Sequence, residues 1–146
     1  MSFFNSFDIS ASGLVAQRVR MNTVSSNLAN ASTPRGPDGG PYRRLDPVFG
    51  PAALPGAMTA SFDAALGREL QAVQVQAVVR DQSAPRLVYD PKHPDANAQG
   101  MLAMPNVNVV EEMANMMTAS RSYEANLLAM QTSRSMAQKA LNLLGR

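Results

Sequence analysis

The sequence predicts a mainly α-helical fold class with a small β-rich insertion, in which helices from the two chain ends pair as a coiled-coil-like layer. Three observations predict it. All ten prolines lie between Pro34 and Pro105, and seven of the nine glycines fall in the same window. A proline inside a helix costs ~3 kcal/mol or more, because it lacks an N–H and its ring strikes the preceding turn, so the chain ends are free to be helical and the centre is not. Second, apolar or small residues recur in steps of four and three from Val109 to Leu144. Third, the centre holds short runs of alternating or β-branched residues between turn formers. The expected division is 1–33 for the first helix, 34–105 for the β-rich module with a flexible insertion at about 51–71, and 106–146 for the long second helix.

The first helix rests on Phe7, Leu14, Met21 and Leu28, which repeat every seven residues. The turn "NASTP" at Asn30–Pro34 ends it, since the residue before a proline is pushed out of the helical region. "RGPDGGP" from Arg35 to Pro41 reads as a flexible joint. "YRRLDPVF" is an edge strand, because Pro47 bars it from the middle of a sheet. "MTASFDAALGRELQ" (Met58–Gln71) reads as a short helix or mobile insertion, and "AVQVQAVV", "RLVYD" and "GMLAM" as three further strands.

The last helix carries the strongest pattern. Val109, Met113, Met116, Ser120, Tyr123, Leu127, Met130, Ala137, Leu141 and Leu144 form a heptad seam, with Arg134 in the one slot not apolar or small. Asn108 suits the N-cap, and Glu111 is placed for a capping-box return. A helix from Val109 to Leu144 is roughly 54 Å long at 1.5 Å per residue. Its seam exceeds that of the first helix by at least a heptad, so apolar surface is left over for other copies or homologous partners. A closed helical hairpin is the simpler alternative. Five of the ten methionines, Met113, Met116, Met117, Met130 and Met136, lie on this helix. Flexible thioethers suit contact with several non-identical neighbours, although the same stripe also serves as plain core.

Composition narrows the function. Thirteen Lys+Arg against 11 Asp+Glu give a formal charge of only +2 over 146 residues, and Arg43–Arg44 is the one adjacent basic pair, so no nucleic-acid partner is expected. Cysteine is absent, which removes disulfides and thiolate metal sites. The N-terminus has no basic region followed by an apolar core, so no cleavable secretory signal is expected. No apolar run approaches the ~20 residues that span a bilayer, and the first helix lacks a basic polar face, so no direct membrane insertion is expected.

One stretch invites a chemical reading. "YDPKHPDANAQGMLAMPNVN", Tyr89–Asn108, contains the single histidine, His93, between Asp90 and Asp95. The spacing D-x-x-H-x-D on a proline-rich loop could assemble a metal triad and make the chain a metal-binding enzyme. Otherwise its three prolines and Gly100 form a rigid elbow that leads from a strand to the cap of the long helix, with His93 as a hydrogen-bonding turn residue. The elbow is the preferred reading, with no catalytic residue, cofactor or metal expected.

"ISASGLVAQRVRMNTVSSNLANASTP" resembles the N-terminal signature of the bacterial flagellar rod and hook axial proteins. "YDPKHPDANAQGMLAMPNVNVVEEM" followed by "ASRSYEAN" resembles, within that family, the subunits of the proximal basal-body rod. The matching positions are Gly13, Leu14, Met21, Asn27, Ala29, Asn30 and Thr33, then Tyr89, Asp90, Pro91, His93, Pro94, Asp95, Gly100, Pro105, Asn106, Val107 and Asn108, and on the last helix Met113, Ala119, Ser120, Arg121, Tyr123, Ala125 and Asn126. Met101 and Leu102 depart from the usual aromatic-plus-valine, and the stretch 51–71 is longer and richer in alanine than the family pattern.

The resemblance implies a non-enzymatic structural subunit of the periplasm-spanning rod, whose terminal helices line a tube that transmits torque and encloses the export channel. It implies export by the flagellar type III apparatus without a cleaved signal. The implied partners are further copies of the chain, other rod subunits, and the membrane-ring and rod-base adaptor proteins; another rod or hook-type subunit is the alternative. The subunit-packing residues expected on this basis are Tyr123, Leu127 and Met130 at the centre of the seam, with Met113, Met116 and Leu141 along it. Arg121 and Glu124 are expected to contact neighbours, and Leu14, Met21 and Leu28 to pack the first helix onto the last.

Overall fold

The computed structural model describes residues 3–36, 39–53 and 71–144. Its elements are α1 (Phe3–Ala29), β1 (Leu45–Ala53), β2 (Gln71–Arg80), β3 (Arg86–Tyr89), β4 (Met101–Met104) and α2 (Val109–Leu144). The terminal helices pair and a small β module of two sheets lies between them in sequence, as the proline distribution predicts. The expected helix at 58–71 lies outside the described residues, apart from Gln71, which opens β2.

α2 begins and ends where the periodicity placed it. Asn108 caps it by accepting the Val110 N–H at 3.1 Å. The anticipated capping-box acid, Glu111, is exposed, and its neighbour Glu112 is the acid that turns inward. α1 stops in a turn held by Asn30, whose Nδ2 donates to the Ser26 carbonyl at 2.9 Å, and by Thr33, whose N–H donates to the Asn30 carbonyl.

The two helices run antiparallel in a fixed register. Gly13 of α1 lies against Asn126 of α2, and 14 residues further along α1, Asn27 bonds Glu112, 14 residues earlier on α2. Ten residues the other way from Gly13, that register brings Phe3 level with residue 136, so 138–144 lie beyond the described residues of α1. The contact is close because small residues line it. Ala119 has no exposed surface and Ala16 is 3% exposed, and a Cβ on Gly13 would stand 2.9 Å from the Asn126 side-chain nitrogen.

The first sheet pairs β1 with β2 antiparallel, from Leu45↔Arg80 to Ala53↔Gln71, with a bulge between Val48 and Phe49 that leaves Gln76 unpaired. The Gln76 side chain folds over Gly50 and occupies the space a Cβ would need. Pro47 and Pro51 are tolerated because a two-stranded sheet consists only of edges. This sheet lies along α1, tied at one end by Asn27 to Leu45 and at the other by the Val73 N–H donating to Ser12 Oγ at 3.1 Å. Fifteen helical residues span about 22 Å and six strand steps about 20 Å, so the two ties fit one straight alignment.

The elbow is a second hairpin. β3 and β4 pair antiparallel from Arg86↔Met104 to Tyr89↔Met101. In the connection Asn97 Oδ1 accepts the N–H groups of both Gln99 and Met101 at 2.9 Å. Gly100 adopts φ +74, and a Cβ there would meet the Tyr89 ring at 2.9 Å and Pro91 at 3.1 Å. Both demands require glycine. Leu102, one of the departures from the family pattern, is buried at 5% exposure.

Candidate assembly site

The most enclosed polar chemistry lies where α1, α2 and the start of β1 meet. Asn27 and Glu112 are each 1% exposed. Asn27 uses its full hydrogen-bonding capacity. Its Oδ1 accepts the Leu45 N–H and the Tyr42 hydroxyl, both at 2.9 Å, and its Nδ2 donates to the Leu45 carbonyl at 2.9 Å and to Glu112 Oε2 at 3.1 Å. Glu112 Oε1 accepts from Arg44 Nε at 2.7 Å, and Arg44 also reaches Asp46 at 3.5 Å. The hydrogen bond to Glu112 holds the Arg44 guanidinium above its ordinary pKa, with burial opposing and the Glu112 charge reinforcing the effect. A buried carboxylate with both oxygens occupied and a cation alongside is the arrangement under which a charge tolerates burial.

This cluster holds the hairpin onto the helix pair and offers no free catalytic group. Asn27 stands in the family motif; Tyr42, Arg44 and Glu112 were missed by sequence reasoning. The only sequence signal for Glu112 is its step of four before Met116.

Expected site residues fall into two sets. On α1, Leu14, Met21 and Leu28 are half-buried. On α2, Met116, Tyr123 and Met130 are half-buried, whereas Met113, Leu127 and Leu141 are 55%, 38% and 67% exposed. The strip of α2 covered within the chain is therefore Glu112, Met116, Ala119, Tyr123, Asn126, Met130, Ser133 and Ala137, again in steps of four and three. It shares Met116, Tyr123, Met130 and Ala137 with the expected seam but takes the neighbouring residue at each alternate position. Relative to the apolar stripe the helix is thus rotated by about 50°, half of the 100° per residue of an α-helix. The rotation brings Glu112 to Asn27 and sets Asn126 against Gly13, whose missing side chain leaves room for it. It leaves Val110, Met113, Met117, Leu127 and Leu128 on the outside with Arg121 and Glu124 among them, all exposed.

The elbow residues do not converge on a metal site. His93 Nδ1 accepts the Asp95 backbone N–H at 3.1 Å, Asp90 Oδ1 accepts the Lys92 N–H, and Asp95 pairs with Arg35 at 3.2 Å. Among the described residues, no three acidic, histidine or cysteine side chains gather to hold an ion. Tyr89, Pro91 and Pro94 are exposed, Pro105 is fully buried, and Asn106 lines a small cavity beside Tyr42 and Arg44. Ala29 is the last residue of α1, exposed, with Asn30 in the turn that follows. Among the described residues, no helix is long and apolar enough to cross a membrane.

Comparison with known proteins fits this division of the chain. Residues 7–35, nearly all of α1 and its terminal turn, match the family model "Flagella basal body rod protein". Residues 98–143 match "Flagellar basal body rod FlgEFG protein C-terminal". The chain is 46% identical to the flagellar basal-body rod protein FlgC of Salmonella typhimurium over 98% of both chains. It is 42% identical to that of Borreliella burgdorferi over 99% of both, and 40% identical to that of Bacillus subtilis over 98% of this chain and 99% of the relative. With the two helices, the turn and the elbow all inside these matches, the chain belongs to the FlgC family of flagellar basal-body rod proteins.

Proposed function

We propose that the chain is a structural subunit of the bacterial flagellar basal-body rod and joins its neighbours through the side of α2 that α1 leaves open. The observation that carries this is the rotation of α2. Its side with Val110, Met113, Met117, Leu127 and Leu128 is exposed in the single chain, while Glu112, Ala119, Asn126 and Ser133 alternate with Met116, Tyr123 and Met130 in the intrachain contact. Apolar side chains gathered along one side of a long helix are stable in water when another protein covers them. The neighbours are other rod subunits, including further copies, with Arg121 and Glu124 setting register among the apolar residues. At the base of the rod, membrane-ring and adaptor proteins are the further partners, and delivery is by the flagellar export apparatus. The assembled helices form the tube that transmits torque and encloses the export channel. The closed polar cluster at Glu112 and the turn and ion-pair contacts that engage Asp90, His93 and Asp95 favour this structural role over metal-dependent catalysis.

Removing residues 127–146 tests the reading, because it deletes the distal half of the strip and leaves the Asn27–Glu112–Arg44 cluster in place. The shortened chain is expected to stay soluble and to leave cells without rods in electron micrographs of basal bodies. Normal rods built with it would overturn the proposal.

A further inference from the structure

Resting on the rod-subunit reading, we propose that the last two turns of α2 are a docking strip for the first two turns of the long C-terminal helix of an axially neighbouring rod subunit, aligned parallel. Four observations converge on it. First, the antiparallel register leaves 138–144 beyond the described residues of α1, so this end of α2 lies outside the described intrachain pair. Second, from the level of Phe3 onward α2 carries an exposed stripe, Met136, Lys139 and Leu143, spaced three and four. The opposite end of the same helix carries Val110, Met113 and Met117, also exposed and also spaced three and four.

Third, each tail residue stands 26 positions after its head counterpart, so one axial displacement of roughly 39 Å brings all three pairs level. On a helix of 36 residues that displacement leaves ten residues of overlap, the last seven of them beyond Ala137. Fourth, the ends are complementary in charge. α2 carries the exposed Glu111 and no basic residue before Arg121 at its start, and Arg134 and Lys139 with no acid after Glu124 at its end. The head that would be met is of the kind this chain itself carries, since residues 98–143 match a C-terminal module described for other flagellar rod proteins. A contact between unlike ends is heterologous and propagates, as an axial polymer requires.

The test places a photo-crosslinking amino acid at Leu143 of the full chain in assembled basal bodies, with Leu127 as the control position, and maps adducts by peptide mass spectrometry. The expected adduct from Leu143 lies in the first two turns of a rod subunit's C-terminal helix. Adducts from Leu127 with none from Leu143, or a Leu143 adduct on the middle of a helix or on a ring protein, would overturn the docking strip and leave the rod-subunit reading standing. Absence of the chain from basal bodies would overturn both. In parallel, Leu143→Glu is expected to reduce completed rods by about tenfold or more, because it sets a charge against the apolar Met117 of the neighbouring helix, while Leu143→Met retains them. Leu143 is 80% exposed, so unchanged ellipticity at 222 nm verifies the fold of both variants; equal rod numbers with Leu143→Glu would overturn the docking strip.

Discussion

Replacing Asn27 by leucine tests how much of the fold depends on one side chain. Leucine is similar in size but accepts and donates nothing, so four hydrogen bonds are lost. Two partners keep an alternative: the Tyr42 hydroxyl retains Ser26 at 3.3 Å, and Glu112 retains Arg44. The Leu45 N–H and C=O have no second partner at this site, and each buried orphan costs about 1–3 kcal/mol. Burying the leucine returns about 1.5 kcal/mol. The expected net loss is about 3 kcal/mol, a large share of the 5–15 kcal/mol typical of a folded domain. For a chain of this size that corresponds to a fall in Tm of roughly 6–12 °C. Urea and thermal unfolding of the purified chain, followed at 222 nm, measure it. Asn27→Asp separates charge from shape: a second carboxylate beside Glu112 raises its own folded pKa, so its deficit is full at neutral pH and shrinks as pH falls through the carboxylate range. The Asn27→Leu deficit stays constant over that range. Stability of Asn27→Leu within about 0.5 kcal/mol of the parent would refute the role of this cluster.

Gly13→Ala is expected to change stability little, since about 1 kcal/mol of helix propensity is offset by displacing the Asn126 amide. In an Asn126→Ala background the same substitution is expected to stabilise by up to ~1 kcal/mol, read by urea unfolding; equal effects in both backgrounds would contradict the close helix approach. Gly100→Ala adds strain at φ +74 and drives a methyl group into the Tyr89 ring, and is expected to destabilise by about 1–3 kcal/mol in the same assay. Asp81 accepts both the N–H and the hydroxyl of Ser83, which hold its carboxyl below the ordinary 3.8. Its contribution to stability is present above the unfolded value and is lost as pH falls through the lower folded one. Carboxyl-carbon NMR is expected to find its midpoint below 3.8, moving upward in Ser83→Ala.

The elements were legible because their signals are local. Proline placement barred helix from the centre, Asn108 marked the start of α2, and the turn at Asn30–Pro34 marked the end of α1. Gly100 was legible as a turn former, although the hairpin around it needed the pairing of Tyr89 with Met101. Asn27 entered only through the family motif, and nothing in its local sequence announces a residue that bonds two other elements. Arg44 and Tyr42 were hidden for the same reason: each acts on a residue far away, Arg44 across 68 positions to Glu112.

The sequence by itself determined that two long helices flank a β module, and where α2 begins and ends. It left two faces of α2 open, because Met116, Tyr123, Met130 and Ala137 belong equally to an apolar seam and to a polar, small one. The tertiary structure decided between them. Glu112 must reach Asn27, 85 residues away in the chain, and Asn126 fits against α1 because Gly13 leaves room for it. Hydrophobic periodicity records how much apolar surface a helix has to cover; which side of it stays inside the chain depends on the residues opposite, and these come together only when the chain folds.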